Sequence, residues 1–137
     1  MRHVLCGLLV LIALTLQGDA AAGQEALSGV YLVDGIGPEG DAYQGAVEIT
    51  PIGNVWNFHW KFAPAGEAMG VGVRQGEAIA VVYQTDTGSL GVTLYVRTGE
   101  TWRGHWTVPG GTDQVFTETL TRSPLRDLDA VRHRKGA

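Results

Sequence analysis

The chain has 137 residues, of which 45% are hydrophobic and 18% are charged, and its formal net charge at pH 7 is −4. This length is enough for one domain with a real core and no more. The body of the chain, residues 25–121, is acidic, whereas proteins neutralise nucleic-acid phosphates with Lys and Arg clustered on one face, so no nucleic-acid partner is predicted.

The first predicted element is a signal peptide at residues 1–22. An apolar run extends from Val4 to Leu16, with basic residues before it and alanines at positions 20–22 after it. A run of about 13 residues is short for a ~30 Å hydrocarbon core and typical of a secretory signal. We therefore expect cleavage after Ala22 and an exported protein, periplasmic or secreted, without a transmembrane segment.

The single cysteine, Cys6, lies within this predicted signal peptide. A mature chain starting at residue 23 contains no cysteine, so neither a disulfide nor a thiolate metal site is predicted. Small secreted domains of eukaryotes often carry disulfides, so their absence here favours a bacterial protein.

Turn-forming residues then divide the chain about every 8–12 residues from position 26 to position 121. The segments between the turns are rich in Val, Ile, Thr, Tyr and Trp and tend to alternate apolar with polar residues, as β-strands do. We predict eight strands, at residues 28–34, 43–50, 54–62, 67–74, 77–84, 90–97, 101–108 and 114–121.

The third and seventh predicted strands carry related motifs, WNFHW and WRGHW, 46 positions apart. Several glycines keep the same offset, which indicates an internal repeat of residues 27–75 and 76–121. Two four-stranded halves that close on each other bury one apolar face and leave no open strand edge. We therefore predict an all-β fold, an eight-stranded antiparallel up-and-down barrel over residues 23–121, with a two-sheet β-sandwich as the alternative.

Alternation along a strand predicts which side chains of the motif face the interior. Burying a Trp or Phe side chain contributes about 2–3 kcal/mol, so the aromatic faces are expected to point inward. The inward residues are then Trp56, Phe58, Trp60 and Phe62 in the third strand and Trp102, Gly104, Trp106 and Val108 in the seventh. The motif histidines, His59 and His105, then point outward on opposite sides, so no metal ion is predicted between them.

The two copies of the motif differ at their centre, where Phe58 in the first half corresponds to Gly104 in the second. An inward glycine either lets a barrel strand coil or leaves a small cavity beside Trp102 and Trp106. If the cavity is real, Gly104→Phe should abolish ligand binding and preserve folding.

The last predicted strand adds a carboxylate, because Glu118 shares a face with Phe116 and Leu120. A buried carboxylate needs a partner or a raised pKa, and Arg97 is a candidate partner. Both faces of the sixth strand, residues 90–97, carry apolar side chains, so its inward face stays open. Glu118 at a solvated rim is the alternative.

Charge is unevenly distributed along the chain. Residues 25–121 contain four basic and eleven acidic side chains, whereas residues 122–137 contain five basic and two acidic ones. We predict that residues 122–137 form a mobile or short helical basic tail with affinity for anionic surfaces.

The opening LSGVY, the later GVTLYV and WRGHWTV, and the closing TETLTR resemble the avidin and lipocalin superfamily of barrels over residues 27–121. Avidin-like proteins hold biotin between inward tryptophans and a ring of hydroxyl and amide groups. That polar ring has no residue-by-residue match here, so biotin binding is not carried over. The chain is also similar to small exported bacterial proteins, some labelled fibronectin-binding, which implies at most an adhesin-like activity.

These observations favour an exported, non-enzymatic binding module that holds a small apolar or aromatic ligand in an aromatic-lined interior. The predicted ligand-binding residues are Trp56, Trp60, Trp102, Gly104, Trp106 and Glu118. The alternative is an envelope or extracellular-matrix interaction protein with a filled core, which would use its outer face and basic tail. A hydrolase or isomerase with Glu118 as base ranks third. No catalytic set stands out, and no catalytic residue, cofactor or metal is predicted.

Overall fold

The computed structural model describes residues 26–110 and 113–129, so the predicted signal peptide at 1–22 lies outside the described residues. Every strand lies within two residues of its predicted position. The described part of the chain contains no helix of the length and hydrophobicity that a bilayer span requires. The strands are β1 (Gly29–Ile36), β2 (Ala42–Ile52), β3 (Val55–Phe62), β4 (Glu67–Gln75), β5 (Ala78–Thr85), β6 (Leu90–Thr98), β7 (Thr101–Thr107) and β8 (Phe116–Arg122).

The eight strands form one closed antiparallel barrel in which each strand pairs with the next. β8 returns to pair with β1, from Tyr31 opposite Arg122 to Ile36 opposite Thr117. This confirms the predicted up-and-down barrel and excludes the β-sandwich. Closure leaves no unpaired strand edge, which removes the main route by which sheets associate unintentionally.

Alternating burial along the strands confirms which faces point inward. In β3 the relative exposures of Trp56, Phe58 and Trp60 are only 8%, 1% and 2%. In β6 the buried face carries Thr93 and Tyr95, while the aliphatic side chains of the other face are exposed. The inward face of β6 is therefore the one with the threonine and the tyrosine.

One end of the barrel is closed by side chains from β1, β4, β7 and β8. The Tyr31 hydroxyl donates to the Leu27 carbonyl at 2.8 Å. The guanidinium of Arg122 lies over the Tyr31 ring, 4.9 Å from its centroid, and that of Arg74 lies 5.7 Å from the ring centroid of Trp102. These cation–π contacts place charge over the rings at what we call the closed end.

The predicted basic tail begins inside β8, and its described part packs on the outside of the barrel. Leu128 is 5% exposed and clusters with Val30 and Ala46 on the outer face of β1 and β2. This part of the tail therefore packs against the barrel, and its last two described residues, Leu128 and Asp129, are helical.

Candidate functional site: an aromatic pocket in the barrel mouth

The other end of the barrel, where hairpin turns join β1 to β2, β3 to β4, β5 to β6 and β7 to β8, opens into a pocket. Its volume is about 270 Å³, near the lower limit of small-molecule sites. Six aromatic side chains form most of its wall, together with small residues and one carboxylate. The lining residues are Tyr43, Trp60, Phe62, Tyr83, Tyr95, Trp106, Gly37, Pro38, Ala68, Thr85, Thr93, Val108 and Glu118.

Glu118 is the carboxylate of this pocket, and it is 6% exposed. The Tyr43 hydroxyl donates to Glu118 Oε2 at 2.6 Å, and the Tyr95 hydroxyl donates to Oε1. Burial raises the pKa of Glu118, and the two tyrosine hydrogen bonds oppose that rise because they stabilise the charged form. Glu118 is thus a buried acid whose two oxygens are both held by neutral donors.

A single register row across five strands builds this arrangement. Glu118 on β8 lies between two glycines, Gly35 on β1 and Gly104 on β7. Tyr43 on β2 is opposite Gly35, and Tyr95 on β6 is opposite Gly104. Each tyrosine therefore reaches Glu118 by leaning across a glycine, so we call these five residues the tyrosine–glutamate row.

The two glycines of this row are required because the tyrosine rings leave no room for a side chain at either position. A Cβ on Gly104 would lie 2.6 Å from Cε1 of Tyr95 and 3.0 Å from Cγ of Glu118. A Cβ on Gly35 would overlap the Tyr43 ring. An aromatic ring packed over a cross-strand glycine supplies the packing contacts that the glycine itself, having no side chain, cannot make.

The space beside Gly104 is therefore filled, so of the two interpretations of this inward glycine the structure does not show the small cavity. The Tyr95 ring lies over Gly104 and also stacks on Phe58, with centroids 5.9 Å apart and planes 1° apart. The Phe-to-Gly difference between the two motif copies is thus compensated by a tyrosine from the neighbouring strand. The pocket lies nearer the mouth than the sequence suggested.

The structure brings three of the six predicted ligand-binding residues into the pocket: Trp60, Trp106 and Glu118. Trp56 and Trp102, 8% and 5% exposed, lie on the two motif strands towards the closed end and do not line the pocket. Gly104, beneath the Tyr95 ring, does not line it either. Contact of any of the six with a ligand stays a prediction.

The predicted ligand-binding residues did not include the three tyrosines of the wall or Phe62, although Phe62 was predicted to point inward. Tyr43, Tyr83 and Tyr95 lie on three different strands, and Phe62 ends β3. Tyr83 stands opposite Gly91, so it repeats the tyrosine-over-glycine pairing of the row. The available signal was therefore a tyrosine facing a glycine across a hairpin, which appears only once the strands are paired.

Arg97 does not pair with Glu118, contrary to the candidate pairing. Its side chain is 43% exposed, its Nε donates to the Gly99 carbonyl at 3.1 Å, and that atom lies 3.9 Å from a carboxylate oxygen of Glu77. Nor does Glu118 lie solvated at the rim. The hydrogen-bond donors to this buried carboxylate are two tyrosine hydroxyls and not the predicted guanidinium.

The tyrosines of the pocket remain hydroxyl donors at neutral pH. Burial, with the charge of Glu118 adding to it, raises the pKa of Tyr83 to about 12. The same two causes raise the pKa of Tyr43 and of Tyr95.

One further polar atom of a pocket residue, Thr93 Oγ1, lacks a hydrogen-bond partner within the described part of the chain. A buried polar atom left without a partner costs about 1–3 kcal/mol, so such atoms usually find a ligand or a water molecule. Thr93 therefore offers hydrogen-bonding capacity to a molecule in the pocket. Across residues 26–110 and 113–129, no three His, Cys, Asp or Glu side chains group as a metal site.

Stability should fall as the pH rises through the folded-state pKa of Glu118. Because that pKa is raised above its ordinary value of 4.5, the folded protein keeps a proton that the unfolded chain releases. This stabilisation of the folded state is fully present below the ordinary pKa of Glu118. It is lost as the pH rises above the raised pKa of the folded protein. Urea unfolding of the native protein and of Glu118→Gln from about pH 4 to about pH 8 measures it as a pH-dependent difference.

The matched control for this pH series is Glu48→Gln, which removes an acid on the outer face of β2 opposite His59. It replaces the same side chain without touching the tyrosine–glutamate row. A Glu118→Gln difference that is constant with pH would contradict the prediction.

The outer surface carries a second notable feature, a patch of exposed aliphatic side chains that we call the outer apolar patch. Cross-strand pairing aligns Val71, Val82 and Val92 in one row across β4, β5 and β6. The full patch consists of Met69, Val71, Val73, Val82, Leu90, Val92, Leu94 and Val96. His59 and His105 also lie on the outer face, as predicted.

No protein-family model and no curated protein matches this chain. Among solved structures it is similar to a redesigned β-barrel, mFAP1, bound to DFHBI, with 14% identity and a TM-score of 0.62 over 72% of this chain and 97% of that one. A fluorescence-activating β-barrel obtained by de novo design gives 17% identity and a TM-score of 0.57, over 74% and 97% of the two chains. EF1p2_mFAP2b bound to DFHBI gives 12% identity and a TM-score of 0.54, over 72% and 95%. At these identities the likeness shows the fold, a small β-barrel.

Proposed function

We propose that this protein is a binding module, not an enzyme, that holds a small apolar or aromatic ligand in the mouth pocket. The observation that carries the proposal is a cavity of about 270 Å³ with six aromatic side chains in its wall. Concave, mostly apolar sites with a few polar groups are the usual form of small-molecule sites. Two of the similar barrels are described as bound to DFHBI, which supports this use of the fold.

The avidin- and lipocalin-like mode, with a ligand held inside the barrel between tryptophans, belongs to this proposal. Here the tryptophans are Trp60 and Trp106, and the polar group is Glu118 with its two tyrosines. We also propose export to the periplasm or the medium of a bacterium, on the basis of the signal-like residues 1–22.

Binding of a neutral aromatic probe, 2-phenylethanol, tests the proposal. The tryptophan fluorescence and the indole N–H resonances of Trp60 and Trp106 should shift saturably as the probe is added. Ala68→Leu should weaken binding at least about tenfold, because Ala68 is 3% exposed and lines the pocket, so added methyl groups occupy ligand space. Native mass spectrometry of the protein from its own source would reveal the mass of a resident ligand.

The matched control is Ala80→Leu, which adds the same atoms to an exposed position on the outer face of β5. It should leave the affinity unchanged. If the probe does not bind saturably to the native protein, or if both variants bind it equally well, the mouth pocket is not the binding site.

A second candidate function is interaction with an envelope or matrix protein, and the outer apolar patch favours it. Monomeric soluble proteins seldom expose contiguous apolar patches of this kind without a use. Val82→Lys places a charge at the centre of the patch and leaves the pocket intact. It should abolish partner binding and preserve 2-phenylethanol binding, which separates the two functions.

A further inference from the structure

The charges around the mouth are of one sign. The described residues of its four hairpin turns include the acidic Glu39, Asp41, Asp86 and Asp113 and no Lys, Arg or His. Acidic groups around an opening lower the local potential, which attracts cations and repels anions.

The arginines of β4, β6 and β8 lie at the other end of the barrel. Arg74 and Arg97 donate to turn carbonyls there, and Arg122 covers Tyr31 at the closed end. Lys61 on β3 belongs to the outer face, where its Nζ donates to Asp129 at 2.8 Å. Three arginines therefore lie at the closed end together with the turn acids Glu77 and Glu100, and Arg103 lies on the outer face of β7. The described residues of the mouth turns, in contrast, carry acids and no basic side chain.

The described lining of the pocket, like the described residues of the mouth turns, carries a carboxylate and no basic side chain. None of the described lining residues is Lys, Arg or His, so Glu118 has no cationic partner inside it. A buried charge without a counter-charge is costly, and a bound cation would remove that cost. Aromatic faces also attract cations, most strongly where water is excluded.

The position of Glu118 suits recognition of a charged head group. Two tyrosine hydroxyls hold its oxygens in place. Thr93 Oγ1, in the same pocket wall, has no hydrogen-bond partner among the described residues. A carboxylate and a hydroxyl can both accept hydrogen bonds from an ammonium N–H. The aromatic wall would then surround the apolar body of the ligand.

We propose that the mouth pocket selects small organic cations, with an ammonium group directed at Glu118 and an aromatic or aliphatic body between the rings. This rests on the proposed function and names the class of ligand that the pocket takes. An anionic ligand of the same shape is excluded by both the acidic mouth and Glu118.

Three probes that share one body test this selectivity: 2-phenylethylammonium, 2-phenylethanol and 3-phenylpropanoate. The ammonium probe should bind at pH 7 at least about tenfold more tightly than the alcohol, and the carboxylate should bind more weakly than both. Glu118→Gln should reduce the affinity for the ammonium to that of the alcohol. Glu48→Gln, which changes the net charge equally on the outer face, should leave the ratio within about twofold.

The pH dependence in the native protein gives a readout that does not depend on how Glu118→Gln folds. Lowering the pH should weaken binding of the ammonium as Glu118 takes up a proton, and binding of the alcohol should change little. The titratable side chains that face Glu118 are Tyr43 on β2, Tyr83 on β5 and Tyr95 on β6, all of which stay neutral over this range.

Equal affinity for the ammonium and the alcohol would overturn selection of cations while leaving ligand binding intact. Ammonium binding that survives Glu118→Gln and does not change with pH would overturn the role of Glu118. If none of the three probes binds, the proposed function itself fails, and this inference fails with it.

Discussion

Phe58→Ala should lower the free energy of unfolding by about 3–5 kcal/mol. Phe58 is 1% exposed and lies between two rings, with its centroid 5.2 Å from that of Trp60 and 5.9 Å from that of Tyr95. Removing it leaves a cavity that the surrounding closed sheet can only partly fill. Urea denaturation followed by tryptophan fluorescence measures the change.

Val73→Ala on the outer face of β4 is the control, because Val73 is 59% exposed. It should change the free energy of unfolding by no more than about 0.5 kcal/mol. Equal losses for the two variants would show that the barrel interior is not packed as described.

Gly104→Phe should destabilise the barrel by about 3 kcal/mol, the upper part of the range for overpacking. The inserted ring must displace Tyr95, because even a Cβ at this position would lie 2.6 Å from that ring. Displacement also removes one of the two hydroxyls that hold Glu118. This outcome differs from the well-folded, ligand-blocked variant expected if Gly104 left a cavity, and chemical denaturation distinguishes the two.

Exchanging Tyr95 and Gly104 provides a second test of the packing between them. Tyr95→Gly and Gly104→Tyr should each be destabilising, whereas their combination should recover part of the loss, since one ring again covers one glycine. The coupling energy should lie within about 1–3 kcal/mol. Additive losses would show that Tyr95 and Gly104 do not share one space.

The fold was predictable because its determinants are local. Alternating residues and frequent turn signals mark the strands, and short turns between them force neighbours to pair as antiparallel hairpins. A closed barrel then follows from the need to bury one apolar face and to leave no edge. The predicted bounds are accordingly close even where a strand such as β2 is longer than expected.

The site was predictable only in part, because alternation specifies the face of a side chain and not its depth in the barrel. Trp56 and Trp60 share one face of β3, yet only Trp60 lines the pocket. Depth depends on the register between strands, which also places Tyr95 over Gly104. The tyrosine–glutamate row crosses five strands, so no single stretch of sequence displays it.

The closed end of the barrel determines how molecules in the pocket exchange. Arg122 and Tyr31 block one end, so any molecule in the pocket must arrive and depart through the same opening. A competing molecule cannot then enter from the opposite end to displace a bound molecule, and the two cannot form a short-lived ternary complex. Exchange becomes strictly sequential, and the residence time of the first molecule alone governs how soon the second can enter, however concentrated the second is.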